Sequence, residues 1–331
     1  MESRLRPFIV GAVPIGLIVY GADSELGRRV LARLAALAQF ALRDVGEPID
    51  VVVHLGSGDH DAIALARQSV TEGVVEMLAG ATAGYATHVV LVSSAMVYGA
   101  VPNNPVPLTE EAVLRPEVEF VYARQLATAE ALVDQWRRDD LGRTATVLRP
   151  VVTMDALASS SLARALAAGF GQRFGEDDPP AQFVHLDDLA AAVVVGAEQR
   201  LDGVFNVSPD GWVPGERVRE LTGSSLRMKL PERVSEVWSS LQWRFQRGPI
   251  PPGLRPYTRS PWVVANDRLK AHGWAPTVTN EQAYVEGTEA GWWTMITPKR
   301  RQELSLGAMV AGLVAGLVAG FSLWRRWRRR R

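Results

Sequence analysis

The sequence contains no cysteine among its 331 residues. That absence excludes disulfide bonds, thiolate nucleophiles and cysteine-ligated metal ions, and it is compatible with a reducing compartment. The sequence also has no excess charge, because 36 lysines and arginines balance 36 aspartates and glutamates. A protein that grips nucleic acid by its phosphates needs a basic surplus, so we expect no nucleic-acid partner.

Short apolar runs alternate with amphipathic helical patterns through the first half of the chain. Strands are predicted at 17–20, 50–55, 88–93 and 144–150. Helices are predicted at 62–81 and 121–136, and an earlier one follows Gly27 with an apolar stripe of Val30, Leu31, Leu34 and Leu37. Strands that alternate with helices in this way usually form one parallel sheet with helices on both faces. The sequence therefore predicts an α/β fold with a doubly wound parallel sheet.

A glycine turn joins the first predicted strand to the first predicted helix. Gly21 and Gly27 flank the segment Ala22-Asp23-Ser24-Glu25-Leu26. Backbone amides at such a turn, together with the helix dipole, can hold a pyrophosphate. We therefore expect a nucleotide site at this point of the fold.

Two further segments indicate which chemistry accompanies that site. The run Ser93-Ser94-Ala95-Met96-Val97-Tyr98-Gly99 ends a predicted strand, and Tyr122 lies on the helix that follows. This combination resembles the active-site region of the extended short-chain dehydrogenase/reductase family, which includes NAD-dependent epimerases and dehydratases of nucleotide sugars. The resemblance covers roughly residues 15–290 and implies a Rossmann-like sheet with NAD or NADP as cofactor.

The resemblance also assigns roles to individual residues. It implies that the Tyr122 phenol is the general acid/base and that the Ser94 hydroxyl orients the reacting oxygen. It places the cofactor against Gly21, Ala22, Ser24, Leu26, Gly27, Leu55, Gly56 and Ser93. No metal is expected, because His54, Asp59, His60 and Asp61 fit a strand end and a helix cap better than a ligand set.

Four departures from the family pattern set this chain apart, one of which is that the run at 70–74 lacks the asparagine and threonine of the family's Asn-Val-x-Gly-Thr element. The family carries a lysine four residues after the tyrosine, and here that position is Leu126. A phenol titrates near ~10 unless a cation lies close to it, so the substitution predicts impaired proton transfer. Ser24 replaces the middle glycine of the phosphate turn, where its side chain could crowd the pyrophosphate or donate to it. Weak or lost cofactor binding is one expected consequence.

The remaining departure is the short connection between Gly27 and the strand at Val51. It leaves too little chain for the usual second and third strands, so the sheet is expected to be shortened there. Residues 41–45 could be a remnant of one strand, with Asp44 as a ribose contact. The preferred alternative is that Arg43 and Asp44 form a solvated helix end.

The chain is expected to have three parts. Residues 1–155 form the Rossmann-like nucleotide-binding domain, and 156–298 form a smaller, irregular lobe. Within that lobe, a strand and helix near 183–198 are expected to return to the main sheet. Residues 299–331 form a hydrophobic helix with an arginine-rich tail.

Residues 304–324 contain no charged side chain and are long enough to span a bilayer. Gly312, Gly316 and Gly320 repeat at a spacing that permits close helix contacts in lipid. Such a helix can span the membrane, lie on its surface or pack as a buried soluble helix, and its composition favours membrane association. We expect a membrane-associated protein with its main domain in the cytoplasm.

Two functions lead among those that the sequence leaves open, and a membrane scaffold without a ligand is a weaker third. The preferred one is a catalytically degenerate homologue that binds a nucleotide weakly or binds a partner, through membrane lipid or a membrane protein at 304–324. The alternative is an active NAD(P)-dependent oxidoreductase or epimerase on a nucleotide sugar, sterol or lipid-linked substrate. A homo-oligomer is compatible with either function.

Overall fold

A computed structural model describes residues 14–37, 39–44, 47–56, 70–157, 159–170, 178–221 and 252–288. Its strands are β1 Ile15–Tyr20, β2 Phe40–Leu42, β3 Val51–His54, β4 His88–Val92, β5 Thr144–Pro150, β6 Val152–Met154, β7 Phe183–His185 and β8 Gly203–Val207. Its helices are α1 Glu25–Ala36, α2 Val70–Ala83, α3 Val121–Arg138, α4 Ser161–Gly169, α5 Leu186–Gln199, α6 Gly215–Leu221, α7 Arg255–Arg259, α8 Asp267–Lys270 and α9 Asn280–Gly287.

The main sheet has six parallel strands in the order β2-β1-β3-β4-β5-β8. Its central strands β3 and β4 are buried at every position, which explains their uninterrupted apolar sequences. The strand order reverses between β1 and β3, and ligands of such sheets bind in the crevice at that reversal. The predicted α/β, Rossmann-like fold is confirmed.

Alternate residues of the strands pack against different helices. Val90 and Val92 of β4 share a core with α1 and α5, whereas Val89 and Leu91 share a second core with α2 and α3. Period-two alternation along β4 thus separates the two cores. Ser93 follows Val92 at the end of the strand, on the side where α3 packs.

The shortened region differs in part from its prediction. A second strand is present, but β2 has only three residues, and Leu42 at its end is level with Leu17 in the middle of β1. The chain then crosses β1 at Gly16, where an added Cβ would lie 2.9 Å from the Pro48 carbonyl oxygen. Arg43 and Asp44 follow a strand, so the strand remnant is correct and the predicted helix end is wrong.

A second difference concerns the strand expected to return to the main sheet near residue 183. Phe183–His185 pairs with β6 in a separate two-stranded sheet, and β8 is the strand that joins the main sheet beside β5. The helix that follows, α5, does pack against β4 and β5. The domain boundaries at 155 and 298 stay predictions.

The described helices include none that is both long and apolar enough to cross a membrane. Residues 304–324, on which the membrane prediction rests, lie outside the described residues.

Candidate functional site

The turn between β1 and α1 has the geometry of a backbone anion cradle. Gly21 has a φ of +86°, a left-handed conformation that favours glycine. A Cβ added to Gly27 would lie 2.4 Å from the carbonyl oxygens of Gly21 and Ala22, so a larger residue would push the turn apart. The two glycines let the backbone and the N-terminus of α1 come close to a phosphate.

Ser24 closes part of this cradle with its own side chain. Its hydroxyl donates to the Gly21 carbonyl at 2.6 Å and accepts the Gly27 amide at 3.0 Å. The hydroxyl proton and one backbone donor are therefore used inside the turn rather than offered to an anion. Next to Ser24, hydrogen bonds from Arg28 and Arg29 lower the pKa of Glu25, which keeps a negative charge beside the cradle.

A cleft of about 140 Å³ opens next to this turn, at the carboxyl ends of β3, β4 and β5. That volume is the space of about five water molecules, enough for one planar ring. The predicted residues on its wall are Leu26, Leu55, Gly56, Ser93, Ser94 and Tyr122. The turn itself is formed by Gly21, Ala22, Ser24 and Gly27. Because a Cβ on Gly21 would lie 3.4 Å from both Leu55 and Gly56, turn and cleft are contiguous.

Tyr122 and Leu126 lie one turn apart on α3. Tyr122 is half-buried on the cleft wall, and burial raises its pKa above the ordinary value of 10.0. Leu126 is 1% exposed and belongs to the hydrophobic core between α2, α3 and the sheet. The position at which the family carries an ammonium group is thus filled by packed hydrocarbon, which adds no charge beside the phenol.

Ser94 and Ser93 both line the cleft, but their hydroxyl groups make different hydrogen bonds. Ser94 caps the short 3₁₀ turn Ala95–Tyr98, where its hydroxyl accepts the Met96 amide at 3.2 Å. That bond leaves the Ser94 proton available to donate. Ser93 does the reverse, since its hydroxyl donates to the buried carboxylate of Glu130.

Glu130 is part of a buried polar network behind the cleft. The Arg149 guanidinium donates to both carboxylate oxygens of Glu130, at 3.1 Å and 2.5 Å, and each side chain is 6% exposed. Arg149 also donates to the Tyr98 hydroxyl at 2.8 Å, which donates to Asn206 at 2.8 Å. Burial alone would lower the pKa of Arg149, but its contacts with Glu130 and Tyr98 raise it, so the guanidinium stays charged.

The histidines of the region have structural contacts. Burial lowers the pKa of His54 to about 4, and its Nδ1 accepts the Gly56 amide at 3.2 Å. His185 caps α5 by accepting the Asp187 amide at 3.2 Å. Within the described ranges, no group of three or more acidic, histidine or cysteine side chains could hold a metal ion. Asp59, His60 and Asp61 lie outside those ranges.

A sequence model of the NAD dependent epimerase/dehydratase family matches residues 22–208. The match covers more than half of the chain, and it includes most of the glycine turn, the whole of β4 and α3, and β5. The chain belongs to the NAD-dependent epimerase/dehydratase family. The roles assigned to individual residues of the cleft stay predictions.

Curated relatives of this epimerase/dehydratase homologue include an uncharacterized protein of Mycobacterium tuberculosis and one of Mycobacterium bovis. Each is 24% identical over 208 residues, which cover 58% of this chain and 55% of the relative. The chain thus spans about half the length of these relatives.

Solved structures with the same fold include three proteins in complex with NAD or NADPH. UDP-glucose 4-epimerase of Thermus thermophilus, in complex with NAD, has a TM-score of 0.57 at 17% identity and covers 82% of this chain and 97% of its own. The dTDP-glucose 4,6-dehydratase of Bacillus anthracis, in complex with NAD, has a TM-score of 0.55 at 14% identity, and the match covers 82% of this chain and 95% of that one. RMD of Pseudomonas aeruginosa, in complex with NADPH, has a TM-score of 0.55 at 20% identity, and the match covers 82% of this chain and 98% of that one.

Sequence patterns missed the polar network behind the cleft. Glu130 lies two turns after Tyr122 on the same stripe of α3, where a carboxylate interrupts an otherwise apolar face. That interruption was the available signal, because a buried acid requires a partner. The partner, Arg149, comes from β5 and could not be paired with Glu130 from the sequence alone. Sequence patterns also did not identify five other residues as part of the cleft wall: Glu25, Met96, Thr153, Ser160 and Trp262.

Proposed function

We propose that this protein binds NAD or NADP at the glycine turn and cleft but has lost the proton-transfer step of its family. It then acts as a nucleotide-dependent binding module rather than as an efficient epimerase. The observation that carries this proposal is Leu126, a buried hydrocarbon where the family's proton transfer depends on an ammonium group.

Leu126 affects the phenol through the charge that it lacks. A phenol becomes an acid/base catalyst near neutral pH when a cation stabilises its phenolate. Burial acts in the opposite direction and raises the Tyr122 pKa. The phenol therefore stays protonated near neutral pH and does not take a proton from a ligand oxygen.

The fit of the cofactor is supported by the backbone of the turn. Gly27 leaves room that a Cβ would fill, and Gly21 adopts a conformation that favours glycine. These residues would hold the pyrophosphate, while Leu55, Gly56, Ser93 and Ser94 would border the ring end. The nicotinamide, when bound, supplies a hydride acceptor or donor. Because Ser24 uses the Gly27 amide and β2 is short, we expect weaker binding than an intact cradle gives.

An active oxidoreductase or epimerase is the second candidate. It is favoured by one observation, that Ser94 and Tyr122 line the same cleft, as an orienting hydroxyl and an acid/base must. A cation supplied from another part of the chain could then replace the missing lysine.

Thermal unfolding with NAD⁺, NADH, NADP⁺ and NADPH tests the binding claim. A ligand present at one hundred times its dissociation constant should add about 2.7 kcal/mol to the free energy of unfolding. We expect a shift with at least one of the four nucleotides. Absence of any shift contradicts cofactor binding.

Reduction of bound NAD⁺ by a UDP-hexose, followed by nicotinamide absorbance, tests the loss of chemistry. We expect no reduction in the natural protein or in Tyr122→Phe. Turnover in the natural protein that disappears in Tyr122→Phe would establish the active enzyme instead.

Membrane association through residues 304–324 is a second part of the proposal. It is supported by the uncharged run and by the arginines that follow it, which favour anionic lipid. Flotation of the whole protein with vesicles tests it. We expect co-flotation with vesicles that contain phosphatidylserine, reduced by the substitution of aspartate for Val314 and Val318. Unchanged flotation of that variant would show that the apolar run is not the anchor.

A further inference from the structure

The Ser93 hydroxyl can act only as a hydrogen-bond acceptor towards the cleft, because its single proton is donated to Glu130. We infer that Glu130 is a positioning residue that fixes this polarity, and that Ser93 accepts a hydrogen bond from the carboxamide NH₂ of the nicotinamide ring. The inference rests on the proposed function, since it concerns how the same cleft selects its cofactor.

Glu130 can only accept in this arrangement. Arg149 donates to both of its carboxylate oxygens, so the side chain faces a fixed, buried guanidinium. A carboxylate held in this bidentate manner has a fixed position and offers only acceptor atoms. Its effect on the cleft is therefore to orient the Ser93 hydroxyl.

The consequence for Ser93 follows from the composition of a hydroxyl group. A serine hydroxyl has one proton and two lone pairs. The proton is donated to Glu130, and none of the described residues donates to the Ser93 oxygen. Ser93 is 4% exposed and lines the cleft, so an acceptor left without a donor there would carry a desolvation cost. A ligand in this cleft is expected to supply the donor.

The location of Ser93 indicates that its donor is the carboxamide of the nicotinamide ring. The pyrophosphate cradle lies at Gly21 to Gly27, and the adjoining cleft has the volume of about one ring. The ring of the nicotinamide nucleotides carries a primary amide with two N–H donors. Its amide oxygen needs a donor in turn, and the neighbouring Ser94 has its proton available.

The decisive probe is 3-acetylpyridine adenine dinucleotide, in which a methyl ketone replaces the carboxamide. It keeps the size and the acceptor of NAD⁺ but has no N–H donor. Calorimetric titration of the whole protein should give an affinity for NAD⁺ about fivefold higher than for the analogue. If both bind equally, this inference is wrong while the proposed function stands; if neither binds, both are overturned.

Three variants identify the residues responsible for that ratio. Ser93→Ala removes the acceptor but keeps the Glu130–Arg149 pair, so it should fold and bring the ratio close to one. Glu130→Gln should reduce the ratio with Ser93 still present, because the serine proton is then free to turn. Glu110→Gln makes the same change at a carboxylate that accepts the Asn206 amide at 2.9 Å, at the far end of the network, and should leave the ratio unchanged.

Some results with these variants would contradict the contact between Ser93 and the carboxamide. A ratio in Ser93→Ala equal to that of the natural protein would show that Ser93 does not contact the carboxamide. If Glu130→Gln does not fold, the Ser93→Ala ratio still decides the contact. An equal loss of affinity for both dinucleotides in Ser93→Ala would indicate general damage to the cleft and would overturn the selective role.

Discussion

The glycine turn and the tyrosine helix border the same cleft, but their functions depend on different atoms. The turn works through backbone amides and the space around Gly27, where a Cβ would lie 2.4 Å from two carbonyl oxygens. Proton transfer on the helix depends on the one side chain at position 126. Ser24 modifies the turn without removing its glycines, whereas Leu126 leaves α3 well packed and removes its cation. Binding and chemistry can therefore separate within one cleft.

Leu126→Lys addresses the helix directly and should have the largest effect. An ammonium group placed in the core between α2 and α3 should cost about 3 kcal/mol of unfolding free energy. In the fraction that folds, the charge should lower the Tyr122 pKa. Chemical denaturation and ultraviolet titration of the phenol measure the two effects.

Leu126→Met is the matched control for that variant. It keeps volume and lacks charge, so it should cost less than about 1.5 kcal/mol and leave the phenol unchanged. A Tyr122 pKa that falls equally in both variants would show that packing, and not charge, controls the phenol.

Gly27→Ala addresses the turn and should have the next largest effect. The added Cβ meets backbone on both sides, so the turn must open, at a cost of about 2 kcal/mol, and nucleotide binding should be lost. Gly73→Ala provides the control, because its nearest atom would be 3.6 Å away and alanine favours the helix. Calorimetric titration with NAD⁺ compares the two. Normal binding by Gly27→Ala would show that the turn does not hold the phosphate.

Ser24→Gly should have the smallest effect, and in the opposite direction. Loss of a serine cap to glycine costs only a few tenths of a kcal/mol. The released Gly27 amide should raise the affinity for NAD⁺ about threefold. Thr279→Gly removes a comparable cap from α9, outside the cleft wall, and should leave affinity unchanged. Weaker binding by Ser24→Gly would mean that the serine supports the phosphate site.

Local patterns in the sequence were enough to locate the turn, β4 and α3, and with them the cleft. Each has a short-range signal, such as glycines at a strand end or apolar residues at helical spacing. The pairing of Phe183–His185 with β6, and the entry of β8 into the main sheet, depend on which distant strands meet. The bond from Ser93 to Glu130 likewise joins residues 37 apart, and only the packed structure brings them together.

The direction of the Ser24 side chain could not be read from the sequence either. A serine in that turn can face the ligand or cap the helix, and both conformations have the same sequence signature. The cap is formed because the Gly21 carbonyl and the Gly27 amide both lie within reach of the hydroxyl. Local backbone geometry, set by the two glycines, decides between them.

Our central expectation is that the Tyr122 phenol stays protonated throughout the neutral pH range. Ultraviolet difference titration of the natural protein against Tyr122→Phe isolates the phenolate of this one side chain. Because burial raises the pKa of Tyr122, we predict that its phenolate forms only above the ordinary value of 10.0. A phenolate that forms near neutral pH would contradict the account and identify a competent acid/base.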